Sequence, residues 1–238
     1  MYHRQQLRRR KGKFFTLIDI FKFPSVRSNF FRVSFTIFII FFLLFAPTVL
    51  MQKLFPNIII SGLINGVSQF ATIPFLHTLN TTVSRRKGLM AMFALTSLFT
   101  FVQYILDPSG CVNCSGQVVS VLMLAFFFGA RFFTNICSNF YINTLNETFP
   151  AQIRPIAYCS VVGVGRLSSL VIPFVPVISQ HLNLGYNVIF GVVGLLGIGG
   201  SYMLRETINF PPPEIIEELR DEKQIDLRRC LYEDKLED

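Results

Sequence analysis

Arg131–Pro176 reads RFFTNICSNFYINTLNETFPAQIRPIAYCSVVGVGRLSSLVIPFVP. The segment is two long apolar runs joined by a short polar turn, NETFPAQIRP, and each run carries one arginine deep inside it, Arg131 in the first and Arg166 in the second. A charged side chain near a bilayer centre costs about 2.5–3.5 kcal/mol on insertion scales, so it faces a protein interior or a watery cavity. Two such residues on consecutive helices predict a polar path across a membrane, with the rest of the chain as its scaffold.

Composition agrees with a membrane. Of 238 residues, 51% are hydrophobic and only 15% charged, too few charges to cover a soluble domain of this size. The apolar residues fall into six long runs, near 31–50, 57–77, 89–106, 117–141, 156–178 and 185–204. Each is close to the roughly 20 residues that a helix needs to cross the hydrocarbon core. Runs this long and continuous predict helices, because a barrel would read as short alternating segments. The predicted fold is therefore all-α and integral to the membrane. It comprises a basic cytoplasmic segment over 1–30, a six-helix transmembrane bundle over 31–205 and a charged cytoplasmic tail over 206–238. In the first segment FFTLIDIFKF is expected to lie at the interface, since Asp19 and Lys22 interrupt it. The first apolar run is too long for a signal peptide and lacks a small-residue cleavage site, which predicts an uncleaved anchor. The tail mixes both signs of charge around Ile215, Ile216, Leu219 and Leu227, as a solvated helix or a disordered segment would.

The net charge of +8 is unevenly spread. Eleven of the 14 acidic residues lie from Glu206 onward, and only Asp19, Asp107 and Glu147 precede them. The basic cluster RRRKGK at Arg8–Lys13 reads as a cytoplasmic flank that attracts anionic lipid heads, and no nucleic-acid partner is expected. Arg85, Arg86, Lys87, Arg154 and both termini fall on one side of the predicted topology, against Lys53 alone on the other. The excess of positive charge puts that first side, with both termini, in the cytoplasm, and a plasma-membrane location is expected. Asn113 then lies outside in an N-x-[ST] pattern and is the glycosylation candidate, whereas the sequons at Asn80 and Asn146 face inward. Cys111 and Cys114 share the outer loop, where they are either a disulfide or two unrelated thiols.

Polar residues mark faces of the helices. Ser61, Asn65, Ser68 and Thr72 share one face of the second run, with Gln69 beside it, and Arg131, Asn135 and Ser138 share one face of the fourth. Gly163, Arg166 and Ser169 follow one side of the fifth, with Gly165 permitting close approach. Thr96, Thr100 and Gln103 share a face of the third. Such stripes line a pore or hydrogen-bond one helix to another. The glycine-rich sixth run suits an outer helix packed through small residues. Pro74, Pro173 and Pro176 are expected to kink their helices. Enzymatic chemistry is not expected. The three histidines are scattered, the five cysteines make no zinc framework, and neither a carboxylate pair nor a phosphate loop is present, so no metal or cofactor is predicted.

Between Ala130 and Leu219 the chain resembles the C-terminal half of a major facilitator superfamily transporter, in the organic cation/anion transporter branch. Residues 146–154, NETFPAQIR, are similar to that branch's acidic–aromatic–proline–arginine loop between helices ten and eleven. Gly165-Arg166-Leu167 through Pro173 resembles its eleventh-helix pattern, Arg205-Glu206-Thr207 the end of helix twelve, and Ser84-Arg85-Arg86-Lys87-Gly88 the turn between helices eight and nine. There are departures: Ser84 stands where a glycine is usual, Thr81 where an aspartate is usual, and Arg205 where a proline is usual. A full transporter of this kind has twelve helices, and the six runs align with helices seven to twelve.

The resemblance implies transport of small organic solutes by alternating access. An arginine at the position of Arg166 goes with organic anions, while phenylalanine and tyrosine rings bury the solute's apolar body. The predicted solute-binding set is Arg166, Arg131, Asn135, Ser138, Asn65 and Gln69. Glu147, Arg154, Arg85, Arg86 and Glu206 are predicted to gather at the inner face, either as a gate of ion pairs or as plain topological charge. The partners expected are the solute, membrane lipids, and either an N-terminal six-helix half or a second copy. The alternative is a non-transporting half-bundle that regulates or assembles with a partner.

Overall fold

The computed structural model describes residues 21, 24–54, 58–106, 117–149, 153–182 and 185–204. Every element among them is helical. The helices are α1 (Pro24–Leu54), α2 (Ile58–Thr82), α3 (Arg85–Leu106), α4 (Gln117–Thr148), α5 (Arg154–Arg166), α6 (Ser168–Val171), a 3₁₀ turn (Ile172–Phe174), α7 (Val175–Leu182) and α8 (Tyr186–Tyr202). The pieces from α5 to α7 form one interrupted rod. Among the described residues, three stretches are long and apolar enough to cross a membrane: Val26–Phe45, Arg85–Leu106 and Arg154–Leu182. Tyr186–Tyr202 is a shorter apolar helix. The described parts of all six predicted runs are helical, and three stretches among the described residues have the length and apolarity needed to cross.

Two boundaries differ from the sequence reading. Helix α1 begins at Pro24, where a first-turn proline loses no hydrogen bond. Val26, Phe30 and Val33 are 1–5% exposed, so the apolar face continues upstream of Phe31 while Arg27 and Arg32 stay outside. The fifth rod is broken at Leu167 as well as at its prolines. Leu167 N–H donates to the Val164 carbonyl and Leu170 N–H to the Leu167 carbonyl, each at 3.1 Å, which tightens the ladder from four residues to three. Pro173 cannot donate to the Ser169 carbonyl, and the 3₁₀ turn falls around that proline. The FFTLIDIFKF expectation lies outside the described residues apart from Phe21, as do the 111–114 loop and the tail beyond Leu204.

Helix α1 is the hub. It packs on α4, α8 and the fifth rod, while α4 packs on α3 and α2. Tyr141 donates to the Val33 carbonyl at 2.5 Å and Arg131 to the Leu44 carbonyl, so α1 and α4 run antiparallel. Exchanging α1 with α4, α2 with the fifth rod, and α3 with α8 maps hub-on-hub, hub-on-rod, hub-on-outer and outer-on-outer packing onto itself, while the packing of α7 on α8 has no counterpart of similar extent between α2 and α3.

The outer pair is joined through glycine. A Cβ on Gly191, Gly194 or Gly197 of α8 would stand 2.8, 2.2 or 2.4 Å from Phe101, Ser97 or Phe93 of α3. Each side chain of α3 occupies the space a larger residue on α8 would need, as expected for the glycine-rich run. Thr96 and Thr100 are buried and bond carbonyls of their own helix, so that stripe serves packing.

Candidate functional site

The two arginines meet the same turn of α1 and differ in everything else. Arg131 lies within two residues of the middle of α4 and is 5% exposed. Its Nε and Nη2 both donate to Asn65 Oδ1 of α2, at 3.0 and 2.7 Å, and its Nη1 donates to the Leu44 carbonyl of α1. The neighbouring Asn135 donates to Ser68 Oγ at 3.2 Å, and Ser68 donates to the Asn65 carbonyl at 2.7 Å. The polar stripes of α2 and α4 thus close on each other. Ser68 and Thr72 are almost fully buried, and Asn135 and Ser138 are buried with them. The bonds from Arg131 and Asn135 are helix-to-helix contacts, that from Ser68 lies within α2, and Asn65 is half-buried at their edge. Gln69, beside the stripe and near the middle of α2, is exposed.

Arg166 is the last residue of α5 and is exposed. It lies within two residues of the middle of the membrane-length stretch Arg154–Leu182, beside the break at Leu167. Its guanidinium sits 5.4 Å from the Phe41 ring centroid and 6.0 Å from that of Phe45. Those two rings lie 5.8 Å apart at an interplanar angle of 31°. A cation against such rings gains about 0.5–1 kcal/mol at an exposed site. Gly165 permits the approach, because a Cβ there would stand 2.6 Å from the Phe41 ring. The C-terminal end of α5 also favours a cation in its last turn. Its carbonyls are partly satisfied, Val164 by Leu167 N–H at 3.1 Å and Arg166 by the Ser169 hydroxyl at 2.8 Å.

At the other level, the predicted inner-face charges separate. Arg85 donates bidentately to Glu147, from Nε to Oε2 at 3.0 Å and from Nη2 to Oε1 at 2.6 Å. It also donates from Nη1 to Asn80 Oδ1 at 2.7 Å. This ties the α2–α3 turn to the end of α4. Arg86 instead stacks on Tyr202 of α8 at 3.9 Å, and Arg154 donates to the Phe149 carbonyl at 3.4 Å. Glu206 and Asn113 lie outside the described residues. Glu147 is the only carboxylate among the described residues, so no described carboxylate meets either mid-helix arginine.

Phe41, Phe45 and Tyr202 are the participants that sequence reading missed. Their i, i+4 spacing in α1 places Phe41 and Phe45 on one face, yet among 27 phenylalanines that spacing has no contrast.

No family model matches the chain. It is similar to organic anion transporter 3 of Homo sapiens, 26% identical over 213 residues, which cover 86% of this chain and 36% of that protein. The same identity and coverage hold for organic anion transporter 3 of Pongo abelii. The chain thus spans about a third of the length of the curated relatives it matches.

Proposed function

We propose that this chain is the C-terminal six-helix half of a major facilitator superfamily secondary transporter, of the organic anion branch. It takes part in moving small organic anions across a membrane by alternating access. At 26% identity the two relatives support a transport role, and their being organic anion transporters supports the choice of anion. The partial exchange symmetry of the helix packing supports the superfamily, whose halves are built from two inverted three-helix repeats.

The observation that carries the reading is Arg166. It is an exposed guanidinium at the middle of a membrane-length rod, at a break in that rod, backed by two aromatic rings. Lipid is a costly neighbour for it, and interrupted helices near the midplane are where secondary transporters build solute sites. The guanidinium offers a fork of donors to a carboxylate or sulfate, and Phe41 and Phe45 offer apolar surface to the body of the solute. Gln69 is exposed near the middle of α2, the helix whose place in the packing corresponds to that of the fifth rod, and joins the solute contacts. Arg131, Asn65, Asn135 and Ser138 form the buried polar wall behind the site in this conformation. A second six-helix half completes the chamber, and rocking of the two halves exchanges access between its sides. The Arg85–Glu147 pair, together with Arg154, Arg86 and Glu206, holds the inner face in one of those states. Both termini lie in the cytoplasm, and Asn113 outside is the glycosylation site.

The experiment is uptake of radiolabelled organic anions by cells expressing the intact gene product, beside an Arg166→Ala version. Uptake abolished by the substitution supports the reading; unchanged uptake of every anion tested removes Arg166 from the site.

A further inference from the structure

The bond from Arg131 to the Leu44 carbonyl has no role in the solute contacts above, yet it falls on the turn of α1 that holds Arg166. The peptide group that accepts it is the one joining Leu44 to Phe45, so its orientation sets the direction from which the Phe45 side chain leaves the backbone. Pro47, two residues after Phe45, has no N–H for the Leu43 carbonyl, so the ladder of α1 is interrupted at this turn. A donor from another helix at the adjacent carbonyl supplies the restraint that the helix itself lacks there. The other half of the Arg131 fork is spent on Asn65, and the whole group is 5% exposed, out of reach of a solute in this conformation. On the far side of the same turn, Phe41 is already in contact range of Gly165, where even a Cβ would come within 2.6 Å. A shift of this turn therefore moves the rings against which the Arg166 guanidinium rests.

We infer that Arg131 is a positioning residue for the Arg166 site. By clamping the Leu44–Phe45 peptide from α4, it fixes Phe41 and Phe45 and through them the Arg166 guanidinium. This rests on the reading of Arg166 given under the proposed function, and it converts Arg131 from a second anion contact into the support of the first.

The test uses the full chain in lipid vesicles, with 4-cyanophenylalanine at position 45 as an infrared reporter of the nearby guanidinium. Arg166→Ala is expected to shift the nitrile band. Arg131→Gln, whose amide is neutral and shorter, is expected to shift it in the same direction, and Arg131→Lys, which keeps a charged donor with the reach for the Leu44 carbonyl, to restore part of the original frequency. A band that moves with Arg166→Ala and stays put with Arg131→Gln, in a variant whose helix content is unchanged by circular dichroism, overturns the inference.

Benzoate is the second probe. Arg131→Gln is expected to weaken benzoate binding about tenfold, the scale of a contact displaced by a fraction of an ångström, and to have no further effect once Phe45→Ala is present. Equal losses in both backgrounds would mean that Arg131 meets the anion itself and would overturn positioning. If benzoate fails to bind at all while the nitrile band still responds to Arg131→Gln, the solute reading fails and the positioning of Arg166 stands.

Discussion

Arg131 and Arg166 are the same side chain at the same turn of α1, and the bundle treats them oppositely. Arg131 points into the seam where α2, α4 and α1 meet, where three hydrogen bonds to neutral oxygens absorb it. Arg166 leaves the end of an interrupted rod, rests on two phenyl rings and stays open. The difference teaches that a charge inside apolar sequence is not by itself a binding residue. What separates the two is whether the surrounding helices have spent its donors. A spent guanidinium is architecture, and an unspent one is chemistry.

The contrast breaks first if function and stability do not separate. Arg166→Ala is expected to cut organic anion uptake by about 100-fold, roughly the loss of one charge-assisted fork, with thermal unfolding of the purified protein shifted little. Uptake and stability falling together would make Arg166 a second structural charge. Gly165→Val tests how closely the fifth rod must approach α1. A branched side chain against the Phe41 ring is expected to destabilise the bundle by about 2–3 kcal/mol and to reduce anion affinity with it. Arg131→Ala is expected to lower stability as well as weaken the site it supports. The orphaned Leu44 carbonyl and Asn65 side chain are expected to cost about 1–3 kcal/mol of stability, read as a lowered denaturation midpoint in lipid or detergent. The smallest effect belongs to the Arg85–Glu147 pair. Glu147→Gln is expected to cost about 0.5–1 kcal/mol, because Glu147 is a third exposed and solvent screens the pair, and the cost should shrink as salt is raised.

Much of this contrast was written in the sequence. The spacing of Arg131, Asn135 and Ser138 placed them on one face, as did Asn65, Ser68 and Thr72, and the structure sets these two faces against each other. Whether such stripes line a pore or join helices depends on how each helix is rotated about its axis. That rotation is fixed by packing across the bundle, which a single sequence does not encode locally. The glycines of α8 were legible as small residues, but their register against Phe93, Ser97 and Phe101 required the partner helix. The break at Leu167 precedes Pro173 by more than one turn, beyond the reach of the rule that places a kink at a proline. Arg86 reads as one more inner-face charge until Tyr202 of α8 is brought beneath it.

Water access at the two arginines is the most direct test. In a cysteine-free background of the intact protein in membranes, Arg166→Cys and Arg131→Cys are each exposed to a membrane-impermeant, charged thiol reagent. The account predicts fast labelling at position 166 and negligible labelling at position 131. No labelling at 166, or equal rates at the two positions, would contradict it.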